Sequence, residues 1–210
     1  MIHHHHFERL NSTNTYAKTL AQHISHHPES ALTSQEVNAI YSPTIITTDA
    51  QTHGRGQGDH TWHSPPKAGL YYTLLVPLGH IPLISDEITR RTFPMRIGKI
   101  VVSCIHEITN TRPYLEWPND ILLQQKKLGG ILIESLVNAS SPTPRFMMIG
   151  IGINLNHTEF PFPLTASAIS IYQVTSQTYN PQLFTAPLTQ QILSACVNIQ
   201  DPFPINMINQ

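Results

Sequence analysis

A short glycine-rich segment is the first place where this sequence could do chemistry. Residues 54–59 read GRGQGD, with Arg55 between two glycines. Closely spaced glycines let backbone N–H groups approach an anion, and one arginine can bind a carboxylate or phosphate through two parallel hydrogen bonds. A flexible connection between strands explains the same letters, and on this segment alone the simpler interpretation is favoured.

Two further polar segments follow downstream. Residues 117–120 read WPND, which places an asparagine and an aspartate beside an indole, although a purely structural turn would use the same residues. Residues 126–130 read KKLGG and lead into an apolar strand, so a lysine here could lie beside a bound anion. For Lys126 we favour a solvated lysine in a β-turn. Each signal alone is ambiguous, and their order along the chain carries more information.

The composition excludes several classes of function. The chain has 210 residues, 12 of them basic and 13 acidic, so it has no long-range positive field to hold a nucleic acid. Charged residues make up 12% and hydrophobic residues 40%, which favours one globular domain over disorder. No apolar run approaches the roughly 18 residues that a membrane span needs, and no secretory leader is expected. With only Cys104 and Cys196, a disulfide framework is excluded and a cytoplasmic location is predicted.

The elements that must hold the polar segments are predicted from hydrophobic periodicity and capping. Residues 11–14 (NSTN) supply cap chemistry for a helix over residues 15–24, and residues 51–69 form a long loop. The other periodic stretches predict strands over residues 44–48, 70–76, 114–117, 121–124, 130–136 and 146–155, and helices over residues 96–108 and 183–198, with both cysteines on packed helix faces. We therefore predict an α+β fold with a mixed, mostly antiparallel β-sheet of about six or seven strands flanked by helices.

Histidines are numerous, but they do not form a metal motif. Residues 3–6 are four consecutive histidines, either native or a cloning remnant, and adjacent imidazoles bind metal only loosely. His53, His60 and His63 match no helical metal motif, and no cysteine completes a ligand shell. We predict no metal site built from protein side chains.

Taken together and in order, the polar segments resemble those of the catalytic domain of biotin–protein ligases, in the biotin/lipoate protein ligase family. The resemblance covers about residues 10–200, and the WPND turn with the KLGG strand entry separates it from the related lipoate ligases. The matching elements are Ser12-Thr13-Asn14, Gln51 followed by Gly54-Arg55-Gly56, Trp62 with Ser64-Pro65, and residues 117–120 (WPND), 127–134 (KLGGILIE) and 150–156 (GIGINLN).

The resemblance implies one catalytic domain over residues 1–210, with a fold similar to class II aminoacyl-tRNA synthetases, and a two-step reaction. The carboxylate of biotin attacks the α-phosphate of ATP to give biotinyl-5′-AMP and pyrophosphate, with Mg²⁺ bridging the ATP phosphates. A lysine of a biotin carboxyl carrier domain, from acetyl-CoA carboxylase or a related biotin enzyme, then attacks the mixed anhydride. We expect neither an N-terminal helix-turn-helix domain nor the small C-terminal β-barrel, hence no DNA binding, and a homodimer is left open.

The resemblance also implies roles for individual residues. Arg55 and Lys127 would neutralise the approach of one anion to another, and Asp120 would orient the incoming lysine and help to remove its proton. Closure of residues 54–63 would exclude water from the adenylate. The implied biotin-binding residues are Ser12, Thr13, Asn14, Gln51, Gly54, Arg55, Gly56, Gln57, Lys127 and Gly130. The implied ATP-binding residues are Arg55, Trp62, Asn119, Lys127 and Asn154.

Three loop positions depart from the family's pattern. Gln57 and His60 stand where the family commonly has arginines, and Asp59 replaces a glycine, which predicts a weaker hold on the adenylate. Two alternatives stay open. One is a lipoate or octanoate ligase of the same fold, against which the WPND turn argues, and the other is a biotin-binding module with little turnover.

Overall fold

A mixed β-sheet flanked by helices forms the computed structural model, which describes residues 2–26, 33, 42–78, 87–138 and 141–197. The strands are His3–Phe7 (β1), Thr44–Thr48 (β2), Gly69–Pro77 (β3), Tyr114–Glu116 (β4), Asp120–Leu123 (β5), Lys126–Asn138 (β6) and Ser141–Asn154 (β7). The α-helices are Thr13–His26 (α1), Glu87–Thr109 (α2), Ile171–Thr175 (α3) and Gln182–Val197 (α4).

The seven described strands form one sheet in the order β1-β2-β3-β7-β6-β5-β4. β1 runs parallel to β2, and the other neighbouring strands are antiparallel. The predicted α+β architecture with a mixed, mostly antiparallel sheet is therefore confirmed.

Helices cover both faces of the sheet, which explains the unbroken apolar run of β3. Every residue of β3 is buried. Successive side chains alternate between faces, so Leu74 joins the main core with α2 and α4, whereas Leu75 joins a second core against α1. A strand that is buried on both faces reads as continuous hydrophobic sequence rather than as an alternating pattern.

Several elements are longer than their periodic cores predicted. α2 begins before the predicted residue 96, and β7 begins before residue 146. β6 begins at Lys126 rather than residue 130, so the lysines and glycines of the KKLGG segment belong to a strand and not to a preceding turn. Polar residues and glycine hide the ends of a strand from hydrophobic periodicity, because sheet hydrogen bonds form irrespective of side-chain polarity.

The histidine run forms the edge strand β1, for which the sequence indicated no element. It pairs in register with β2, with His3 opposite Thr44 and Phe7 opposite Thr48. His4 Nε2 lies 2.8 Å and His6 Nδ1 3.0 Å from the Thr47 hydroxyl, so alternate histidines share one face of the strand. Four identical residues carry no polar–apolar alternation, which is the usual strand signal.

The two cysteines lie where packing explains them. Cys104 on α2 and Cys196 on α4 are fully buried in the main core, and both are free thiols. Burial raises the pKa of each thiol to about 12, so both remain protonated and unreactive at neutral pH. No helix in the described ranges combines the length and the apolar character that crossing a bilayer requires.

Candidate active site

One cleft gathers most of the polar residues that the sequence singled out. It has a volume of about 250 Å³ and lies between the start of α1, the loop that follows β2, and strands β5, β6 and β7. Arg55 and Lys127 come from distant segments and line this same space. The predicted site residues in its lining are Ser12, Thr13, Asn14, Gln51, Arg55, Gly56, Gln57, Trp62, Asn119, Asp120, Lys127 and Gly130.

A tight hairpin brings Lys127 to Asp120. Gln124 and Gln125, at the turn between β5 and β6, have φ values of 50° and 63°, the left-handed pair that a two-residue hairpin requires. Lys127 Nζ lies 2.8 Å from Asp120 Oδ1, and the Asn119 amide donates to the same oxygen over 2.9 Å. The ion pair holds the ammonium group at the cleft.

Arg55 is held by a carboxylate that the sequence analysis left without a role. Its Nη1 and Nη2 atoms donate to Glu134 Oε2 and Oε1 over 2.8 and 2.9 Å. Burial alone would raise the pKa of Glu134, but hydrogen bonds from Arg55 and Asn14 outweigh it and hold that pKa below its usual value. Both cations at the cleft are therefore paired with carboxylates.

Buried hydrogen bonds tie the start of α1 to the sheet and to the loop. The Thr13 backbone N–H donates to Gln51 Oε1 over 2.9 Å, and Gln51 Nε2 donates to Ser64 Oγ over 2.8 Å. The Thr73 hydroxyl, fully buried in β3, donates to Asn14 Oδ1 over 2.6 Å and lies 2.8 Å from Thr13 Oγ1. These hydrogen bonds hold residues 12–14, which form one wall of the cleft, firmly in place.

Glycines in β7 leave room for the side chains that cover the sheet. A Cβ added to Gly152 would come within 2.6 Å of the Trp62 indole, and one added to Gly150 would overlap the Asn14 amide. Trp62 Nε1 is buried without a hydrogen-bond partner among the described residues, and Lys127 Nζ lies 6.0 Å from the centre of the indole. The Trp62 indole therefore packs directly against the backbone of β7 and forms one wall of the cleft.

A second cleft of about 260 Å³ adjoins the first. The two share His60, Thr61, Trp62 and Lys127. The second cleft is otherwise lined by His63, Asn154, Phe160, Leu164, Ser167 and Ala168. Its aromatic and aliphatic walls suit a flat ring, whereas the lining of the first cleft mixes polar and apolar side chains.

Two predicted site residues lie outside the first cleft. Gly54 is buried, and an added Cβ would overlap the Trp62 carbonyl and lie 2.7 Å from Ser64 Oγ, so it permits a close backbone approach. Asn154 lines the second cleft, but its amide donates to the carbonyls of Lys127 and Ile169 over 3.3 and 3.1 Å. Its observed contacts fix the backbone beneath Lys127.

The first cleft also contains residues that sequence reasoning missed. Gly150 and Gly152 belong to the matched GIGINLN segment but received no role, and His60 was identified only as a departure from the family's loop pattern. The other residues sit in strands or beside Trp62, where apolar or β-branched character suggested only packing. The additional lining residues are His60, Thr61, Tyr71, Tyr72, Ile131, Leu132, Gly150, Ile151 and Gly152. Within the described ranges, no group of three or more histidine, cysteine, aspartate or glutamate side chains could hold a metal ion.

His157 borders this region and gives a pH prediction. Its ring is 3% exposed, stacks on Phe160 at 4.7 Å, and makes no hydrogen bond through either nitrogen among the described residues. Burial, with a smaller contribution from His63, lowers its pKa from 6.5 to about 4, and a weak interaction with the Ala68 backbone only partly opposes this. Between these two pKa values, His157 is therefore protonated in the unfolded chain but remains largely neutral in the folded chain.

We expect His157 to lower the stability of the folded chain as the pH falls from 6.5 towards 4. The unfolded state binds the extra proton in that window, so the free energy of unfolding falls by at most about 3 kcal/mol on account of His157. His157→Phe should flatten this part of the dependence in denaturant titrations, relative to His53→Phe on the exposed loop. An equally steep acid limb in both variants would contradict the assignment.

The chain matches known proteins over most of its length. Residues 6–154 match the profile of the biotin/lipoate A/B protein ligase family. Bifunctional ligase/repressor BirA of Bacillus subtilis is 29% identical over 142 residues, which are 63% of this chain and 40% of the relative. The chain thus spans less than half the length of that relative.

Solved structures agree on the fold. Biotin protein ligase from Aquifex aeolicus, in complex with biotin and ATP, superposes with a TM-score of 0.67 at 23% identity, covering 91% of this chain and 69% of the other. The Leishmania major biotin protein ligase in complex with biotinyl-5-AMP gives a TM-score of 0.69 at 22% identity, covering 92% and 74%.

Proposed function

The chain belongs to the biotin/lipoate A/B protein ligase family, and we propose that it is an ATP-dependent biotin–protein ligase. It would form biotinyl-5′-AMP and transfer biotin to a lysine of a biotin carboxyl carrier domain. The observation that carries this proposal is that Arg55 and Lys127, from distant segments, line one small cleft. The similar structures of biotin protein ligases in complex with biotin and ATP, and with biotinyl-5-AMP, support the choice of substrates.

In the first step a carboxylate must approach a phosphate, so two anions meet. Arg55 and Lys127 would reduce that repulsion and stabilise the charge that develops on the phosphorus oxygens. Pairing with Glu134 and Asp120 fixes both cations before the substrates arrive, so little reorganisation is needed at the moment of reaction. The hydroxyl and amide groups of Ser12, Thr13 and Gln51 supply donors and acceptors for the ureido ring of biotin.

The nucleotide would occupy the second cleft. Trp62, Phe160 and Leu164 offer flat or apolar surface for an adenine, and Lys127 lies on the boundary between the two clefts. Mg²⁺ would arrive bound to the ATP phosphates, because Asp120 and Glu134 already pair with cations.

In the second step an amine must lose a proton. A free lysine has a pKa near 10.4, so holding it neutral at pH 7 costs about 4–5 kcal/mol. Asp120 is half-buried at the cleft and already binds one ammonium group, that of Lys127, over 2.8 Å. We propose that it orients the carrier lysine in the same way and accepts its proton as the amine attacks the anhydride, which breaks the acyl–phosphate bond and releases AMP.

Pyrophosphate release tests the proposal. With purified chain, ATP and Mg²⁺, we expect release that depends on biotin and exceeds release with lipoate or octanoate, followed by biotinylation of a carrier fragment detected by mass spectrometry. Preference for lipoate or octanoate would indicate the related ligases. Biotin binding without pyrophosphate release would indicate a binding module.

The loop substitutions predict weak retention of the adenylate. Gln57 lines the cleft without a positive charge, so Gln57→Arg should slow the release of biotinyl-AMP by about 3- to 10-fold, the effect of a partly exposed charge-assisted hydrogen bond. Dissociation rates are measured by chasing bound labelled adenylate with unlabelled adenylate. Gln190→Arg, on the exposed side of α4, is the matched control, and an unchanged or faster release in Gln57→Arg would refute the prediction.

A further inference from the structure

Glu134 binds side chains from two other elements of the cleft, the loop after β2 and helix α1. Its Oε2 atom accepts from Arg55 Nη1 over 2.8 Å and from Asn14 Nδ2 over 3.0 Å, and its Oε1 atom accepts from Arg55 Nη2 over 2.9 Å. Arg55 belongs to the loop after β2, Asn14 to α1, and Glu134 to the middle of β6. We propose that Glu134, itself fixed by Asn14, is the positioning residue that holds the Arg55 guanidinium in its working orientation.

The amide of Asn14 can hold Glu134 in only one orientation. Its Oδ1 atom accepts from the Thr73 hydroxyl over 2.6 Å, and its Nδ2 atom also donates to the Leu132 carbonyl over 3.3 Å. Exchanging the oxygen and nitrogen would place the amide oxygen against the Leu132 carbonyl and the Glu134 carboxylate, both of which are acceptors. A chain of bonds therefore runs from the buried core of β3, through Asn14 and Glu134, to Arg55.

A loop arginine needs such support. Loops are more mobile than the strands they connect, and an arginine side chain has many rotamers. The two parallel bonds fix the plane of the guanidinium as well as its position. A guanidinium has five N–H donors, and this pair uses two of them, so the others stay available to an anion.

Glu134 acts through Arg55 and is not itself a catalytic residue. Its side chain is 20% exposed and that of Arg55 is 36% exposed. If the ion pair were lost, the Arg55 side chain could therefore turn into solvent, and no unpaired charge would be left buried. The catalytic consequence of this inference rests on the proposed function, but the positioning itself does not. The two are therefore tested by separate measurements.

Limited proteolysis tests the positioning without any ligand. Trypsin must capture the Arg55 side chain to cut between Arg55 and Gly56, and Lys67 provides a second loop site as an internal reference. We expect Glu134→Gln to raise the rate of cutting at Arg55, relative to Lys67, by about tenfold or more, because it removes charge-assisted bonds. Glu134→Asp, which keeps the charge, should recover part of the protection.

Glu107→Gln, the same change on an exposed part of α2, should behave as the wild type. If the ratio of cutting rates at Arg55 and Lys67 in Glu134→Gln stays within about twofold of the wild-type ratio, the proposal is overturned. Substitutions of surface residues that make no specific contacts have effects of that size. Equal acceleration at Arg55 and Lys67 would also overturn it, since it would mean that Glu134 supports the whole fold.

Kinetics test the catalytic consequence. In biotin-dependent pyrophosphate release, Glu134→Gln should lower kcat/KM by about 10- to 100-fold, with partial recovery in Glu134→Asp. Selective cutting at Arg55 with full activity in Glu134→Gln would overturn the link to catalysis. Selective cutting in a chain whose wild type releases no pyrophosphate would support the positioning role and reject the proposed function.

Discussion

Replacing Lys127 with alanine is expected to lower kcat/KM for biotin-dependent pyrophosphate release by about 100- to 1000-fold, the usual effect of removing a preorganised charge from a reacting oxyanion. The loss has two parts in this structure. The ammonium group disappears from the boundary between the two clefts, and the carboxylate of Asp120, its partner at 2.8 Å, loses its countercharge where we propose that the phosphates bind.

Lys126 offers a matched control for this substitution. It is the neighbouring residue on β6 and has the same side chain, but it does not line the cleft. We expect Lys126→Ala to stay within about twofold of the wild type, as surface substitutions commonly do. Similar losses in both variants, or a Lys127→Ala variant that keeps a third of the activity, would contradict the role of Lys127.

Asp120→Asn is expected to separate the two half-reactions. Transfer of biotin from preformed adenylate to a carrier fragment should fall by about 100-fold or more, because a positioned general base contributes factors of this size. Adenylate formation should stay within about fivefold of the wild type, because Lys127 keeps its charge and the asparagine keeps a hydrogen-bond acceptor. Single-turnover transfer and pyrophosphate release measure the two steps.

Glu116 provides the control for the aspartate. It lies opposite Asp120 in the β4–β5 pair but is exposed, so Glu116→Gln changes a nearby carboxylate outside the cleft. We expect both half-reactions to be unaffected in that variant. Equal losses in both half-reactions of Asp120→Asn would mean that Asp120 acts only by holding Lys127.

The sequence predicted the sheet well where its strands are strongly apolar. Thr44–Thr48 is β-branched throughout and is a strand with the predicted bounds, and the buried run of β3 was found within a residue at each end. The edge strand of histidines was not found, because identical residues show no alternation. The turn at Gln124 and Gln125 was not found either, because glutamine is not typical of left-handed hairpin turns.

Residue types predicted many of the side chains that line the cleft, but they did not predict which of these side chains contact one another. Glycine, arginine and lysine in polar segments indicated an anion site, and the structure places Arg55 and Lys127 around one cleft. The pairing of Arg55 with Glu134 joins residues 79 positions apart, and that contact depends on the order and register of strands. Thr73 was overlooked for a different reason, since a threonine in a buried strand looks like an ordinary strand former.

The common boundary of the two clefts has a consequence for how tightly a conjugate is held. Compartments of about 250 and 260 Å³ meet at Trp62 and Lys127, so an acid and a nucleotide can lie side by side. Once the two are covalently joined, release of one end leaves the other as a tether, and the free end returns at a high effective concentration. The joined molecule should therefore dissociate more slowly than either component alone, through an avidity effect that needs no additional contact.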